Sequence, residues 1–163
     1  RGMIETVDAI RPYEETKEWA LLSSSIRKSI EDNEPEVALD RLHTYLVKYV
    51  RSLCDRHGIS YAKATPLQGL FGSYLNHRKS SHGIHSRATE IILKSTASIV
   101  DALNQVRNES SFAHDNPLLS HNESILILSH ASACIRFIEA IESEDPQASS
   151  RQDAKADVEE IPF

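Results

Sequence analysis

Arg107 and His114 are the residues of this chain whose chemical types and spacing could perform catalysis. The surrounding pattern places Arg107 near the end of one amphipathic helix and His114 in a short break before the next. A guanidinium presents a fork of donors that suits phosphate oxygens, and an imidazole exchanges a proton near neutral pH. Such a pair could cleave an RNA phosphodiester without a metal ion. His114 would move the proton of the 2′-hydroxyl or leaving oxygen, and Arg107 would stabilise the transition state.

The same spacing also fits a purely structural role for the two residues. Arg107 could pair with a nearby acidic side chain, and His114 could cap the helix that follows it. The sequence offers no competing catalytic signature, because it contains no glycine-rich phosphate loop, nucleophile elbow or paired-carboxylate motif. The choice between the two roles depends on the helices that position the pair.

Apolar residues recur at spacings of three and four along most of the chain, which is typical of amphipathic helices. Long helices are predicted at about 12–33, 35–57 and 86–110, and from the break at 112–117 to about residue 143. A shorter helix opens at Thr65-Pro66, a cap followed by a first-turn proline. Because no segment alternates with period two, we predict an all-α bundle of four or five helices.

The two helices that flank the break carry strongly apolar faces. We predict that the helix before the break buries one apolar face. We also predict that the last helix lies at the centre of the bundle or at an interface. The predicted faces are Ile92, Thr96, Ile99, Leu103 and Val106 before the break, and Ile127, Ala131, Cys134, Ile138 and Ile141 after it.

Most of the net charge of −6 belongs to the end of the chain. Seven acidic and two basic residues lie from Glu142 onward, so residues 1–141 carry a net charge of only −1. We predict a folded domain over 1–143 and a flexible acidic tail over 144–163. A folded part that is close to neutral neither favours nor excludes an RNA ligand.

The pattern around the cysteines and the composition of the N-terminal segment indicate the cellular compartment of the protein. Cys54 and Cys134 both fall inside apolar helical patterns, as small core residues do in a reducing environment. Residues 1–10 lack the basic region and apolar run of a secretory signal, and no stretch approaches 18 uncharged apolar residues. We therefore expect a cytoplasmic protein with no membrane partner.

The string Arg107-Asn108-x5-His114 fits the R-x4–6-H signature, with a polar residue after the arginine, of the HEPN superfamily. The match extends beyond this signature. The segments LHTYLVKYVRSLCDRHGI, LQGLFGSYL, ASIVDALNQVRNESSFAHDN and ILILSHASACIRFIEAIE, in that order, resemble the abortive-infection C-terminal (Abi-C-type) branch over about residues 36–141.

This resemblance implies a HEPN-like helical bundle whose active members are metal-independent ribonucleases of toxin and antiphage systems, with no cofactor. It also implies a homodimer in which the two motifs face one another. Arg107 and His114 fall on the catalytic positions, and Asn108 would orient one of them or hold the substrate. Asp115 departs from the glycine that often follows the motif histidine, and its charge could raise the basicity of His114 or repel a phosphate.

The stretch Asn76–Arg87 contains no acidic residue and shows no apolar period, so we predict a connection. Arg78, Lys79 and Arg87 within it could bind RNA phosphates, although a solvated loop explains the same composition. The pair His82-x2-His85 lacks a second group of ligands nearby in the sequence, and we predict no metal site.

The leading interpretation is a metal-independent endoribonuclease of a bacterial abortive-infection or toxin system. The alternative is a catalytically silent HEPN module that dimerises or docks onto a partner effector or sensor protein. A third interpretation is a single-stranded nucleic-acid binder that uses the 76–87 connection without cleaving its ligand.

Overall fold

The computed structural model describes residues 8–11, 17–80, 84–109 and 120–145. At positions 35, 36, 40 and 103–109 the description is of the backbone alone. Within these ranges the chain forms five α-helices and no strand, which confirms the predicted all-α bundle. The helices are α1 (Lys17–Glu31), α2 (Pro35–Arg56), α3 (Leu67–Ser80), α4 (Arg87–Glu109) and α5 (His121–Ser143). The predicted tail lies outside the described residues from position 146 onward.

Local sequence signals account for several of the helix ends. Asn33, with φ of 62°, reverses the chain between α1 and α2, and Pro35 occupies the first turn of α2. Gly58, with φ of 66°, follows α2 in the left-handed region that glycine adopts at low cost. The Ser120 side chain and Glu123 form a reciprocal capping box at the start of α5.

The prediction of a connection beginning at Asn76 was wrong, because α3 continues to Ser80. The extra turn is stabilised by tertiary contacts of Arg78, which the local sequence pattern does not show. The beginning of α3 also differs from the expected Thr65 cap. The first-turn N–H of Gln68 donates to Asp101 of α4, and the Thr65 hydroxyl accepts from the N–H of Ala62.

Helix α2 is the centre of the bundle, and α1, α3, α4 and α5 all pack against it. Tyr45, Tyr49 and Tyr74 belong to the core, since each is at most 1% exposed. Trp19 of α1 meets Tyr45 edge-on, with ring centroids 5.3 Å apart. Cys54 and Cys134 are buried free thiols, as predicted, and burial raises the pKa of both.

Pairs of contacting residues fix the relative directions of the helices. Thr96 contacts Cys134, and Ile99 lies beside His130, so α4 and α5 are antiparallel. His43 of α2 contacts Asp101 near the end of α4, whereas His57 at the end of α2 contacts the last turns of α5. Consequently α2, α3 and α5 begin at the end of the bundle where α4 finishes. We call this the motif end.

The apolar face predicted for α4 was wrong in part. Ile92 and Ile99 are 50% and 42% exposed, while Leu93, Ala97 and Val100 form the buried side. Among the members of the predicted face whose side chains are described, only Thr96 is buried. The exposed isoleucines lie in an apolar surface beside α5.

Residues 8–11 form a short strap that is fixed to three helices. Ile10 is fully buried, and its carbonyl oxygen accepts a 2.8 Å hydrogen bond from Arg27 of α1. The hydroxyl of Tyr45 donates to the carbonyl oxygen of Arg11 at 2.6 Å, and the Arg11 guanidinium pairs with Glu139 of α5 at 2.9 Å. The strap therefore connects α1, α2 and α5.

Helix α5 reaches a mean hydropathy of 1.5 over its most apolar 18 residues, which by length and composition alone would suffice to cross a membrane. A helix that packs into the core of a soluble protein passes the same test. In this fold α5 buries one side against α2 and α4. The core prediction is confirmed for Ala131, Cys134, Ile138 and Ile141.

Candidate functional site

The site predicted from the sequence lies at the corner between α4 and α5. Arg107 and Asn108 occupy the last turn of α4, where the description covers the backbone. His114 falls within 110–119, outside the described residues. The structure therefore places the Arg107-Asn108 backbone at the motif end, and the roles of the three side chains stay predictions.

Helix α5 begins directly after this corner. The Ser120 N–H donates to the Glu123 carboxylate at 2.7 Å, and the Ser120 hydroxyl accepts from the N–H of Glu123. These hydrogen bonds lower the pKa of Glu123, because they favour its ionised form. The capping box was not recognised from the sequence, although Ser120-x-x-Glu123 ahead of an apolar run is its usual signal.

A carboxylate–histidine pair lies at the same end of the bundle. Asp101 Oδ1 of α4 is 3.0 Å from His43 Nε2 of α2, and Asp101 Oδ2 accepts a 2.8 Å hydrogen bond from the backbone N–H of Gln68. The Asp101 and His43 side chains are 17% and 24% exposed. The sequence analysis missed this pair because 58 residues separate its members and neither belongs to a recognisable motif.

An apolar groove of about 200 Å³ runs between α4 and α5. We call it the α4–α5 groove, and it is lined by Thr96, Ile99, Val100, Leu126, Ile127 and His130. Leu126 is 68% exposed at its edge, and Ile92 and Phe137 continue the exposed apolar surface toward the opposite end of the bundle. Exposed leucine and isoleucine side chains grouped in this way are typical of an interaction surface.

The three predicted RNA-binding residues lie in different environments. Arg78 is 3% exposed, and it donates to Asp145 Oδ2 at 2.5 Å and to the carbonyl oxygen of Ile141 at 2.9 Å. This position does not fit a phosphate contact, because the guanidinium is buried in contacts with the end of α5. Lys79 is about half exposed and pairs with Glu90 at 2.5 Å.

The same Glu90 also pairs with Lys94 at 2.6 Å, and the two lysines lower its pKa to about 2. Arg87 is exposed at the first residue of α4. Contacts of Lys79 and Arg87 with RNA stay predictions.

A buried polar cluster occupies the end of the bundle opposite the motif. Both Glu142 carboxylate oxygens lie 2.9 Å from His57 Nε2, and Glu142 Oε1 accepts a 2.8 Å hydrogen bond from the Tyr74 hydroxyl. We call this group the Glu142 cluster; its members are Arg56, His57, Tyr74, Arg78, Glu142 and Asp145. Two acids that the sequence analysis assigned to the acidic chain end therefore stabilise the fold.

The histidines, cysteines and acidic residues of the described ranges could in principle bind a metal ion. No group of three or more of these side chains there is arranged to hold a metal ion. His82 lies within 81–83, outside the description, and His85 is exposed. The absence of a metal site at His82-x2-His85 therefore stays a prediction.

The comparisons with known proteins add one match. A sequence model of the Abi_C family, described as a HEPN-like domain, matches residues 22–142. This range contains α2, α3 and α4, the 107–114 motif, most of α1, and α5 up to its last residue but one. No curated protein and no solved structure matches the chain significantly.

Proposed function

The chain belongs to the Abi_C family of HEPN-like domains, and from this membership we propose that it is a metal-independent endoribonuclease. Membership of this family indicates a function related to abortive infection. The observation that carries the proposal is the string Arg107-Asn108-x5-His114 within the matched range, at the corner between two packed antiparallel helices.

Each motif residue has a specific role in the proposed reaction. His114 transfers a proton to or from the ribose hydroxyl or leaving oxygen, and Arg107 binds the phosphate oxygens as negative charge develops on them. Asn108 orients His114 or the substrate through its amide. The products of such a reaction carry 2′,3′-cyclic phosphate and 5′-hydroxyl ends.

We also propose that the active form is a homodimer with the two motifs facing one another. The exposed apolar surface along the α4–α5 groove supports this proposal, because Leu126 lies in the second turn of α5, near the corner that contains the motif. Ile99 and Leu126 would lose their water-exposed area against the partner copy, at about 25 cal/mol per Å² of apolar surface. The proposed location of the active dimer is the bacterial cytoplasm.

The decisive experiment is cleavage of a mixed RNA pool in excess EDTA. We expect the wild-type protein to cleave and leave 2′,3′-cyclic phosphate ends, and we expect His114→Ala and Arg107→Ala to be inactive while remaining folded. His121→Ala is a matched control, since it removes a nearby imidazole outside the motif. Full activity in either motif variant would remove that residue from the mechanism.

A second candidate function is a catalytically silent module that docks onto a partner effector or sensor. The observation that favours it is Asp115, whose carboxylate follows the motif histidine and can repel an incoming phosphate. Expression in bacteria separates the two functions. Toxicity that is relieved by His114→Ala supports the ribonuclease, and a harmless protein of dimer mass supports the module.

A further inference from the structure

Helices α4 and α5 each carry a stripe of uncharged residues on the side that bears the α4–α5 groove. The α5 stripe consists of exposed or half-buried residues at spacings of four, three, four and three. Its members are Leu126, His130, Ala133, Phe137 and Ala140. The α4 stripe consists of exposed residues at spacings of three, four and three, namely Ile92, Ser95, Ile99 and Ala102. Residues three and four apart share one helix face, so both stripes are continuous along their helices.

The two stripes fit the same two stripes of a second copy. Spacings of three and four let the side chains of one helix pack between those of another, as they do in helical bundles. If both copies use the groove side and bring their motif ends together, they run in the same direction about a twofold axis that lies along the bundle. Each α4 then packs against α5 of the other copy at the same height. Ile99 meets His130, and Ile92 meets Phe137.

His130 is the member of this surface that titrates near neutral pH. It lines the groove together with uncharged side chains, those of Thr96, Ile99, Val100, Leu126 and Ile127. Residues close to the twofold axis of such an interface meet their own copies. Because His130 lies in the groove between the two helices, the dimer brings its ring close to the axis and to the same ring of the second copy.

The charged groups of the elements packed around His130 are engaged with other partners. On α4, α2 and α1 these contacts are Glu90–Lys94, His43–Asp101 and Glu18–Lys48. On α5 and the strap they are Arg136–Asp8, Glu139–Arg11 and the Glu123 carboxylate with the Ser120 N–H. The phenol of Tyr45 and the thiol of Cys134 stay protonated, because burial raises the pKa of both. An imidazolium at position 130 therefore has no carboxylate partner among the described residues.

We propose that His130 makes the assembly of the two copies depend on pH, and this inference rests on the proposed dimer. In the separate chain the half-buried ring is accessible to water in either protonation state. In the dimer it is enclosed by apolar side chains beside the ring of the other copy, and both burial and like charge disfavour the imidazolium. The dimer consequently binds fewer protons than two separate chains do. It is favoured above about pH 6.5, where histidine titrates in water, and it weakens below that pH.

The test is the dimer dissociation constant of the full chain, measured by sedimentation equilibrium at about pH 7.5 and about pH 5.5. Exclusion of two protons would raise this constant by up to about 100-fold over that interval, and we expect a rise of at least about tenfold for the wild type. His130→Leu keeps the surface apolar without a titrating group, so its constant should change by less than about threefold. Circular dichroism at both pH values shows that each protein remains helical.

His85→Gln is the matched control, since it removes an exposed imidazole that precedes α4 and lies outside both stripes. We expect this variant to retain the pH dependence of the wild type. A His85→Gln dimer that loses the dependence while His130→Leu retains it would assign the effect to the wrong histidine and overturn the inference.

The remaining outcomes separate the inference from the proposed function. A wild-type dimer that is equally stable at both pH values overturns the role of His130 and leaves the dimer and the ribonuclease in place. A His130→Leu dimer that weakens on acidification as much as the wild type has the same meaning. A wild type that is monomeric at both pH values overturns the inference together with the dimer. Should His130→Leu not fold, His130→Gln, which also lacks a titrating group, decides by the same comparison.

Discussion

The Tyr74 hydroxyl donates a 2.8 Å hydrogen bond to Glu142, although 68 residues separate the two in sequence. Both side chains are buried, and burial followed by the Glu142 charge raises the pKa of Tyr74 well above its ordinary value. The phenol therefore stays protonated and remains a donor to the carboxylate. This contact connects α3 to the last turn of α5, inside the cluster that includes His57 and Arg78.

Loss of the Glu142 charge is expected to destabilise the fold strongly. Glu142→Gln leaves buried Arg78 and largely buried His57 without the charged partner they share, which typically costs about 3–5 kcal/mol of unfolding free energy. Tyr74→Phe removes one donor and should cost about 1–2 kcal/mol. Urea unfolding measures both. Glu144→Gln, two residues along and exposed, is the control, and equal stabilities of Glu142→Gln and Glu144→Gln would contradict the prediction.

His77 is expected to make stability depend on pH near neutrality. Its ring centroid is 4.8 Å from that of His57, and burial followed by the charges of His57 and Arg78 lowers its pKa below 6.5. As pH falls through 6.5, the unfolded chain protonates at this position before the folded chain does. The stability associated with neutral His77 is therefore present above pH 6.5 and is lost as pH falls through the lower, folded-state pKa.

The measurement is the unfolding free energy of the wild type and His77→Gln between pH 5 and about pH 8. The variant should show a shallower decline on the acidic side, because its glutamine does not titrate. Identical pH dependence in the two proteins would show that protonation of other groups governs the decline.

The helices could be predicted because their information is local. The spacing of apolar residues gave the positions of α2, α4 and α5, and Pro35 and Gly58 marked the ends of α2. The additional turn of α3 could not be found in this way. Arg78 looks like a solvated residue in sequence, and it is buried because Asp145, 67 residues later, supplies a charged partner.

The same distinction between local and distant contacts explains which residues of the candidate site could be predicted from the sequence. Arg107, Asn108 and His114 form a short string, so the sequence alone could single them out. The pair of His43 and Asp101 depends on the packing of α2 against α4, and no local pattern encodes that contact.

The α4 face was misassigned for a different reason. Periodicity identifies an apolar stripe without saying whether a core or a partner covers it, and Ile92 and Ile99 remain exposed in the single chain.

The strap over residues 8–11 is expected to contribute to stability although it precedes the family match at residue 22. Ile10→Ala empties a fully buried site and should cost about 2–5 kcal/mol of unfolding free energy. Tyr45→Phe removes the donor to the Arg11 carbonyl oxygen and should cost about 1 kcal/mol. Leu21→Ala, at a side chain that is 62% exposed, should change the unfolding free energy little. If Ile10→Ala were as mild as Leu21→Ala, the strap would not be part of the cooperative unit.

The proposed dimer can be tested by substitution in the exposed surface beside the α4–α5 groove. Leu126 is 68% exposed on α5, next to half-exposed Ile99 on α4. Glutamate at position 126 would place a charge in the apolar centre of the proposed interface, where burial without a partner is very costly. We therefore expect Leu126→Glu to have monomer mass in sedimentation at concentrations where the wild type has dimer mass.

Leu21→Glu is the matched control for this dimer test, since Leu21 is 62% exposed on α1, a helix that packs mainly on α2 and does not line the groove. It introduces the same charge into the same type of side chain and should leave the dimer mass unchanged. Because the proposed active site forms between two copies, Leu126→Glu should also lose RNA cleavage, and Leu21→Glu should retain it. A wild-type protein that stays monomeric at all concentrations would remove the dimer from the mechanism. A Leu126→Glu dimer as stable as the wild type would instead place the interface on another face of the bundle.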